Sequence, residues 1–325
     1  MKTPKFWNSN NIISWLLLPF SLCYYYGFCV RKYLAKPEKL SVPIICIGNL
    51  TAGGAGKTPV ALAIGEMLRE KGINGFYISR GYGGSQKEPL LVDVKIHDAK
   101  LVGDEPLLLA QVLPTIVGNN RAKTAKFAEQ NGAEIIIMDD GFQNPTIHKD
   151  LSIIVVDRRL SFGNEKLLPA GPLREPVRAG LKRADAIVLV NPATFMPTHL
   201  PRNVPVFIAR TEAKKSMLTL DGKKIIAFCG IANPNKFYTM LANCGAEIFA
   251  EKSFADHHNY TNSDIENLRE IARKEQAILV TTSKDATRLP VDSKSEIIVA
   301  EMELLFENKE KLEELIDGVI KKYTA

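Results

Sequence analysis

Cysteine is scarce and dispersed in this chain of 325 residues: there are five, at Cys23, Cys29, Cys46, Cys229 and Cys244, with no CxxC pair and no histidine at zinc-binding spacing. That excludes a disulfide-stapled scaffold and a structural zinc site, and makes a reduced, cytosolic catalytic body the expectation. A strong charge of one sign is also lacking. Lys and Arg number 42 against 36 Asp and Glu, a formal net charge of +6. Such a surplus is too diffuse for a nucleic-acid surface, yet it suits an anionic substrate or an anionic membrane face. Repeats and low-complexity tracts are missing, and beyond residue 30 no apolar run is long enough to cross a bilayer. A protein with several spans is thereby excluded, and the length suits about two domains.

The N-terminus departs from this ordinary composition. Ile12 to Val30 holds no charged residue and contains Trp15, Tyr24, Tyr25 and Tyr26. Nineteen helical residues reach about 28 Å, close to the hydrocarbon thickness of a bilayer. Arg31, Lys32, Lys36 and Lys39 follow, against Lys2 and Lys5 before it, so the positive-inside rule leaves the rest of the chain in the cytoplasm. No small-x-small site marks a cleaved signal peptide. Two readings stay open, a spanning helix and a helix lying in the interface, the second favoured by Pro19 and the tyrosines.

Downstream, short β-branched runs alternate with helical stretches. Runs such as Ile135-Ile136-Ile137-Met138 and Ile153-Ile154-Val155-Val156 are apolar throughout, which marks strands buried on both faces of a parallel sheet. The pattern pauses in a Lys-rich connection near 210–223, then resumes on a smaller scale and ends in an amphipathic helix expected from about Leu304 to Lys322. The expected fold is α/β: a P-loop NTPase-like parallel-sheet domain, a second, smaller α/β domain, and an N-terminal membrane-associated helix. The expected bounds are 1–36 for the anchor, 37–215 for the core and 216–325 for the smaller domain, whose final helix is placed to pack back on the core.

The core opens with Gly48-Asn49-Leu50-Thr51-Ala52-Gly53-Gly54-Ala55-Gly56-Lys57-Thr58-Pro59, set between an apolar run and an Ala/Leu-rich helical segment. Strand, Gly-rich turn and helix in that order make a phosphate-binding loop, because small residues let successive N–H groups turn toward phosphate oxygens. Thr51 to Gly56 would line the phosphates, Lys57 would reach the β- and γ-phosphates, and the Thr58 hydroxyl would take a site on Mg²⁺. Thr51 stands where the general pattern has Gly. Further on, Asp139-Asp140-Gly141-Phe142-Gln143 ends a buried strand, where a carboxylate can hold Mg²⁺ and Gln143 can orient a phosphate or hydroxyl; a plain turn is the alternative. Asp104 in Gly103-Asp104-Glu105-Pro106 is either a helix cap or a general base for an alcohol acceptor. Arg121 is either a solvated helix-start residue or a stabiliser of phosphoryl charge. Asp256-His257-His258 offers a proton-relay partner or a surface loop. Arg80 and Arg174, in Gly/Pro turns at strand ends, can meet anionic substrate groups.

Seven motifs in order (the phosphate loop, Ser79-Arg80-Gly81-Tyr82-Gly83, Gly103–Pro106, Asp139–Gln143, Leu167–Glu175, Asp256–His258 and Ser283–Leu289), together with the apolar N-terminus, carry a close resemblance to the tetraacyldisaccharide 4'-kinase family, the lipid A 4'-kinases of Gram-negative bacteria. It covers about residues 10–290. The resemblance implies transfer of the ATP γ-phosphate to the 4'-hydroxyl of a tetraacylated glucosamine disaccharide 1-phosphate, with Mg²⁺, at the cytoplasmic face of the inner membrane. The expected partners are a lipid substrate and the bilayer, without nucleic acid or an obligate protein. Lys57 and Thr58 match the family's loop residues, Asp104 its catalytic Asp with Glu105 beside it as a further metal-side carboxylate, and His257 its partner His, with the doubled His258 leaving the choice open. Asp139 and Asp140 match its metal carboxylates, and Arg121, Gln143 and Arg174 fall where the family meets phosphate or lipid. Thr51 is typical of the family. Lys284 and Asp285 match a motif without an assigned role.

A GTPase-type switch is the rival from another class, but it needs Asn/Thr-Lys-x-Asp. Thr282-Ser283-Lys284-Asp285-Ala286 places the Asp one residue early. A kinase for a soluble metabolite leaves the apolar N-terminus unexplained.

Overall fold

The computed structural model describes residues 4–159, 161–191 and 199–324. It begins with α1 (Ile12–Leu16) and α2 (Leu18–Leu34). Pro19 lies in the first turn of α2, where a missing N–H is tolerated, and Leu17 divides the apolar stretch in two. The continuous nineteen-residue spanning helix is therefore corrected: among the described residues, no helix is long and apolar enough to cross a membrane.

The body continues through β1 (Ile44–Gly48), α3 (Lys57–Glu70), β2 (Gly75–Ser79), β3 (Leu90–Leu91), α4 (Ala99–Val102), α5 (Asp104–Leu109) and β4 (Thr115–Val117). Next come α6 (Arg121–Gln130), β5 (Ile135–Asp139), β6 (Leu151–Asp157), α7 (Val177–Leu181), β7 (Ala186–Val190) and β8 (Val206–Ala213). The remainder is β9 (Lys224–Cys229), α8 (Pro234–Asn243), β10 (Glu247–Ser253), α9 (Asn262–Glu275), β11 (Ile278–Thr282), α10 (Ser283–Ala286), β12 (Ile297–Ala300), β13 (Met302–Phe306) and α11 (Lys309–Thr324).

Nine strands form one sheet in the order β13-β8-β7-β6-β1-β5-β2-β4-β3, parallel except at the two edge strands. Every residue of β1 is buried. Ile45 and Ile47 pack with Val60, Ile64 and Leu68 of α3 and with Leu312, Ile316 and Val319 of α11. Ile44 and Cys46 face the other way, toward Phe142, Val177 and Leu181. Alternate residues thus serve two cores, which is why the strand reads as an unbroken apolar run. The second sheet, β10-β9-β11-β12, is wholly parallel. Ile225 and Ala227 of β9 meet α8 residues Phe237 and Leu241, while Ile226 and Phe228 meet Ile265 and Leu268 of α9.

Leu304 to Phe306, expected to open the final helix, is strand instead. Its residues pair antiparallel with Ala209–Thr211 of β8, a long-range partner that overrides a helix-compatible local pattern. Residues 302–324 consequently join the large sheet rather than the small one. The C-terminal ends of β1, β5 and β6 lie side by side at one edge, the usual ligand edge of a parallel α/β sheet.

Candidate active site

The phosphate loop leaves β1 at Gly48, and α3 starts at Lys57 behind Gly56, whose φ of 82° is left-handed. Lys57 and Thr58 therefore occupy the first turn, where helix N–H groups lack intrahelical partners and favour an anion. Within the loop, the fully buried Asn49 donates from Nδ2 to the Thr51 carbonyl at 2.7 Å and accepts from Lys57 Nζ at 3.3 Å. The stretch 167–174 braces the loop from outside: Ala52 N donates to Pro172 O at 2.7 Å, Arg174 N donates to Leu50 O at 2.8 Å, and Thr51 bridges Leu173.

Asp139 and Asp140 end β5 beside the loop. The Asp139 side chain is buried and its Oδ1 lacks a hydrogen-bond partner. Burial first, then the like charge of Glu105, pushes its carboxyl up to about 7 against the pull of Lys57. Asp140 goes the other way: burial would raise it, but Lys57 and Arg174 hold it below the usual carboxylate range. Lys57 Nζ stands 3.7 Å from Asp140 Oδ1, and Arg174 Nη1 donates to the same oxygen at 2.8 Å. Gln143 Nε2 donates to the Asn49 carbonyl at 2.8 Å and to Glu175 Oε1 at 3.1 Å, and its Oε1 accepts from Arg174 at 3.3 Å. Lys57, Asp140, Gln143 and Arg174 therefore form one web around the loop.

Arg121 is buried rather than solvated. Its Nη2 donates to the Asp139 carbonyl at 2.8 Å, while Nη1 is buried with no partner. Burial lowers its pKa from the usual guanidinium value. A buried cation with an unspent donor beside the loop is suited to a phosphoryl oxygen. Arg80 stays exposed at the end of β2, outside the hydrogen-bonded web, and its charge opposes that of Arg121.

The second half of the site forms where residues carried by the small sheet meet α5. Asp104 opens α5 after Gly103, whose φ is 87°. Its Oδ2 accepts from His257 Nδ1 at 2.9 Å and from Arg288 Nη1 at 3.2 Å. The cap alternative fails here, since these side-chain partners rather than helix N–H groups take the carboxylate. His258 turns away to Asp264 Oδ2 at 3.1 Å, in the capping box of α9. Of the two histidines, His257 is the one on Asp104. Lys284 Nζ stands 3.6 Å from Glu105. A cavity of about 290 Å³ opens between the halves, lined by Asp104, His257, Arg288, Tyr82, Lys100 and Asn259.

Arg288 was visible in the sequence only as part of a motif, and Asn49 and Glu175 only as motif letters. Their signal was there, but the partners that give them meaning lie far along the chain. Among the described residues no three His, Cys, Asp or Glu side chains converge as a ready-made metal cage. The donor set nevertheless fits Mg²⁺, which retains waters and takes one or two carboxylates: Asp139 Oδ1 is unpartnered, Asp140 is adjacent, and Thr58 is close at the helix start.

The N-terminal helices rest on the bracing stretch. Ser21, buried, donates from Oγ to Leu167 O at 2.8 Å and accepts from Ala170 N at 3.2 Å. Trp7 Nε1 donates to Pro169 O, and Lys166 Nζ lies 3.9 Å over the Trp15 ring. Outward, Ile12, Trp15, Leu16, Phe20, Leu22, Tyr26, Tyr33 and Leu34 are exposed.

Residues 13–321 match the family model described as Tetraacyldisaccharide-1-P 4'-kinase. The chain is 44% identical to a Rhodospirillum rubrum protein named tetraacyldisaccharide 4'-kinase, over 98% of each chain. It is 43% identical to the protein of that name from Paramagnetospirillum magneticum, over 98% of this chain and 99% of the other. A crystal structure of LpxK from Aquifex aeolicus in complex with ATP superposes with a TM-score of 0.79 at 29% identity, covering 95% of this chain and 100% of that one.

Proposed function

The chain belongs to the tetraacyldisaccharide-1-P 4'-kinase family, and we propose that Asp104, positioned by His257, is the base through which it works. The protein is an ATP-dependent kinase that phosphorylates the 4'-hydroxyl of a tetraacylated disaccharide 1-phosphate in lipid A synthesis. The observation that carries the base assignment is the 2.9 Å contact between His257 Nδ1 and Asp104 Oδ2, made across the two sheets at the mouth of the cavity. A carboxylate gripped on one oxygen keeps the other for the acceptor hydroxyl.

Asp104 takes the hydroxyl proton as that oxygen bonds to the γ-phosphorus, and the bond from phosphorus to the bridging oxygen breaks to release ADP. Lys57 and the first turn of α3 hold the phosphates, and the free Nη1 of Arg121 answers charge on the transferred group. Asp139, Asp140 and Thr58, with Glu105 nearby, are the residues that would hold Mg²⁺. When bound, that ion neutralises charge on the β- and γ-phosphates. Arg174 and Gln143 orient the loop's flank toward the acceptor.

The acceptor's setting follows from the N-terminus. Each buried CH₂ holds a lipid in the bilayer by about 0.8 kcal/mol, so a four-chain acceptor stays there. The two buried residues of α1 and α2 are polar, Ser14 and Ser21, while most of their large apolar side chains face out, the inverse of an ordinary surface helix. That inversion supports a helix lying in the cytoplasmic interface of the inner membrane, with the braced phosphate loop alongside. Purified protein, labelled ATP and the disaccharide lipid should yield a lipid with one added phosphate at the 4' position. Nucleotide hydrolysis indifferent to the lipid would contradict the reading.

A further inference from the structure

The Ser283–Leu289 motif has no part in the chemistry above, yet it supplies a buried network. Asp285 is fully buried, and its Oδ1 accepts from Arg288 Nη2 at 2.6 Å, Gly230 N at 2.8 Å and Tyr260 Oη at 2.9 Å, with Thr282 Oγ1 on Oδ2 at 2.5 Å. Four donors fix that carboxylate, and it in turn fixes the guanidinium. Arg288 Nη2 also reaches the Gly230 carbonyl at 3.1 Å, the same carbonyl that accepts the backbone N–H of His257 at 3.0 Å. Its side chain is 2% exposed, and its Nη1 ends on Asp104 Oδ2. One carbonyl, that of Gly230, therefore positions both residues that touch Asp104. A methyl group there would meet Ala255 O at 2.8 Å and Asp285 Oδ1 at 3.3 Å, so the knot leaves no room for a side chain.

We propose that Arg288, locked by Asp285, is a positioning residue of the phosphoryl transfer: it holds Asp104 by Oδ2 from the small sheet so that Oδ1 meets the acceptor hydroxyl. The proposal rests on the assignment of Asp104 as base. A planar fork can bridge two carboxylates and a carbonyl at once, whereas an ammonium makes a single-point contact without that geometry. A merely structural role would weaken folding and leave the turnover of folded molecules unchanged.

The test is steady-state kinetics on Arg288→Lys and Arg288→Gln, each also combined with Asp104→Asn, in full-length protein with ATP and the disaccharide lipid. Rates are scaled to the folded fraction measured by circular dichroism. Misplacing a reacting group by an ångström can cost about a hundredfold, so kcat should fall by about tenfold or more in Arg288→Gln with KM for ATP within about twofold. Arg288→Lys should fall between that variant and the parent. In the Asp104→Asn background either change should cost less than about twofold further, because the residue acts through Asp104. A normal kcat in folded Arg288→Lys and Arg288→Gln, or full additivity with Asp104→Asn, overturns the inference. Where Arg288→Gln does not fold, the Arg288→Lys pair decides alone. An Asp104→Asn enzyme with normal kcat would instead sink the base assignment on which the inference stands.

Discussion

Asp104 and Asp139 are both buried carboxylates at strand or helix ends, but their surroundings suit them to different work. Asp104 has two side-chain partners, His257 and the Arg288 guanidinium, while Asp139 keeps a bare Oδ1 and a carboxyl pushed up to about 7, by burial first and then by Glu105. Between the unfolded value of 3.8 and about 7, the folded protein holds a proton that the unfolded chain has released. Stability from this group is therefore full below that window and is lost as pH rises through it. In urea unfolding of metal-free protein, stability should fall from about pH 4 to about pH 7 more steeply than in Asp139→Asn; equal slopes would contradict the burial argument. The paired histidines separate in the same way. His257→Ala should lower kcat, whereas His258→Ala should keep it and cost stability by about 1–2 kcal/mol, because its ring stacks on Phe254 and meets Tyr260 edge-on besides pairing with Asp264. Parallel kinetics and thermal melts distinguish the two.

Elements were legible in the sequence where local pattern and tertiary demand agree. Leu151–Asp157 and Ala186–Val190 are strands over the whole of their apolar runs, because burial on both faces leaves no polar alternation to blur the ends. Met302–Phe306 was hidden, since its strand character comes from β8, about ninety residues earlier in the chain. The N-terminal stretch was legible as apolar but not as divided, and Ser21 disclosed which side faces the protein only once Leu167 was beside it. Leu22 and Tyr26 share the outward side. Leu22→Glu with Tyr26→Glu should shift stability by less than about 0.5 kcal/mol each and should sharply reduce co-sedimentation with anionic vesicles. Unchanged sedimentation would contradict the interfacial helix. Helix α3 offers a packing test, for a Cβ at Gly65 would lie 1.8 Å from the Tyr77 hydroxyl, itself bonded to Ala61 O at 2.9 Å. Gly65→Ala should cost about 2 kcal/mol or more in chemical denaturation.

At the scale of the whole molecule, the donor half of the site was readable as a contiguous motif and the acceptor half was not. The phosphate loop declares itself within twelve residues, because strand, turn and helix start are neighbours in sequence. Asp104 meets His257 over a separation of 153 residues and Arg288 over 184, so its role depends on the small sheet closing against α5. Motif spacing named the residues; only the fold shows that His257, rather than His258, is on the carboxylate, and that Asp285 serves it at one remove. The central claim is that this cross-sheet carboxylate takes the acceptor's proton. Single-turnover phosphoryl transfer from pre-bound ATP to the disaccharide lipid, comparing the parent with Asp104→Asn, tests it most directly. In Asp104→Asn the chemical step should slow by about a hundredfold or more while ATP affinity stays within about twofold. An unchanged single-turnover rate, or a loss explained wholly by weaker ATP binding, would contradict it.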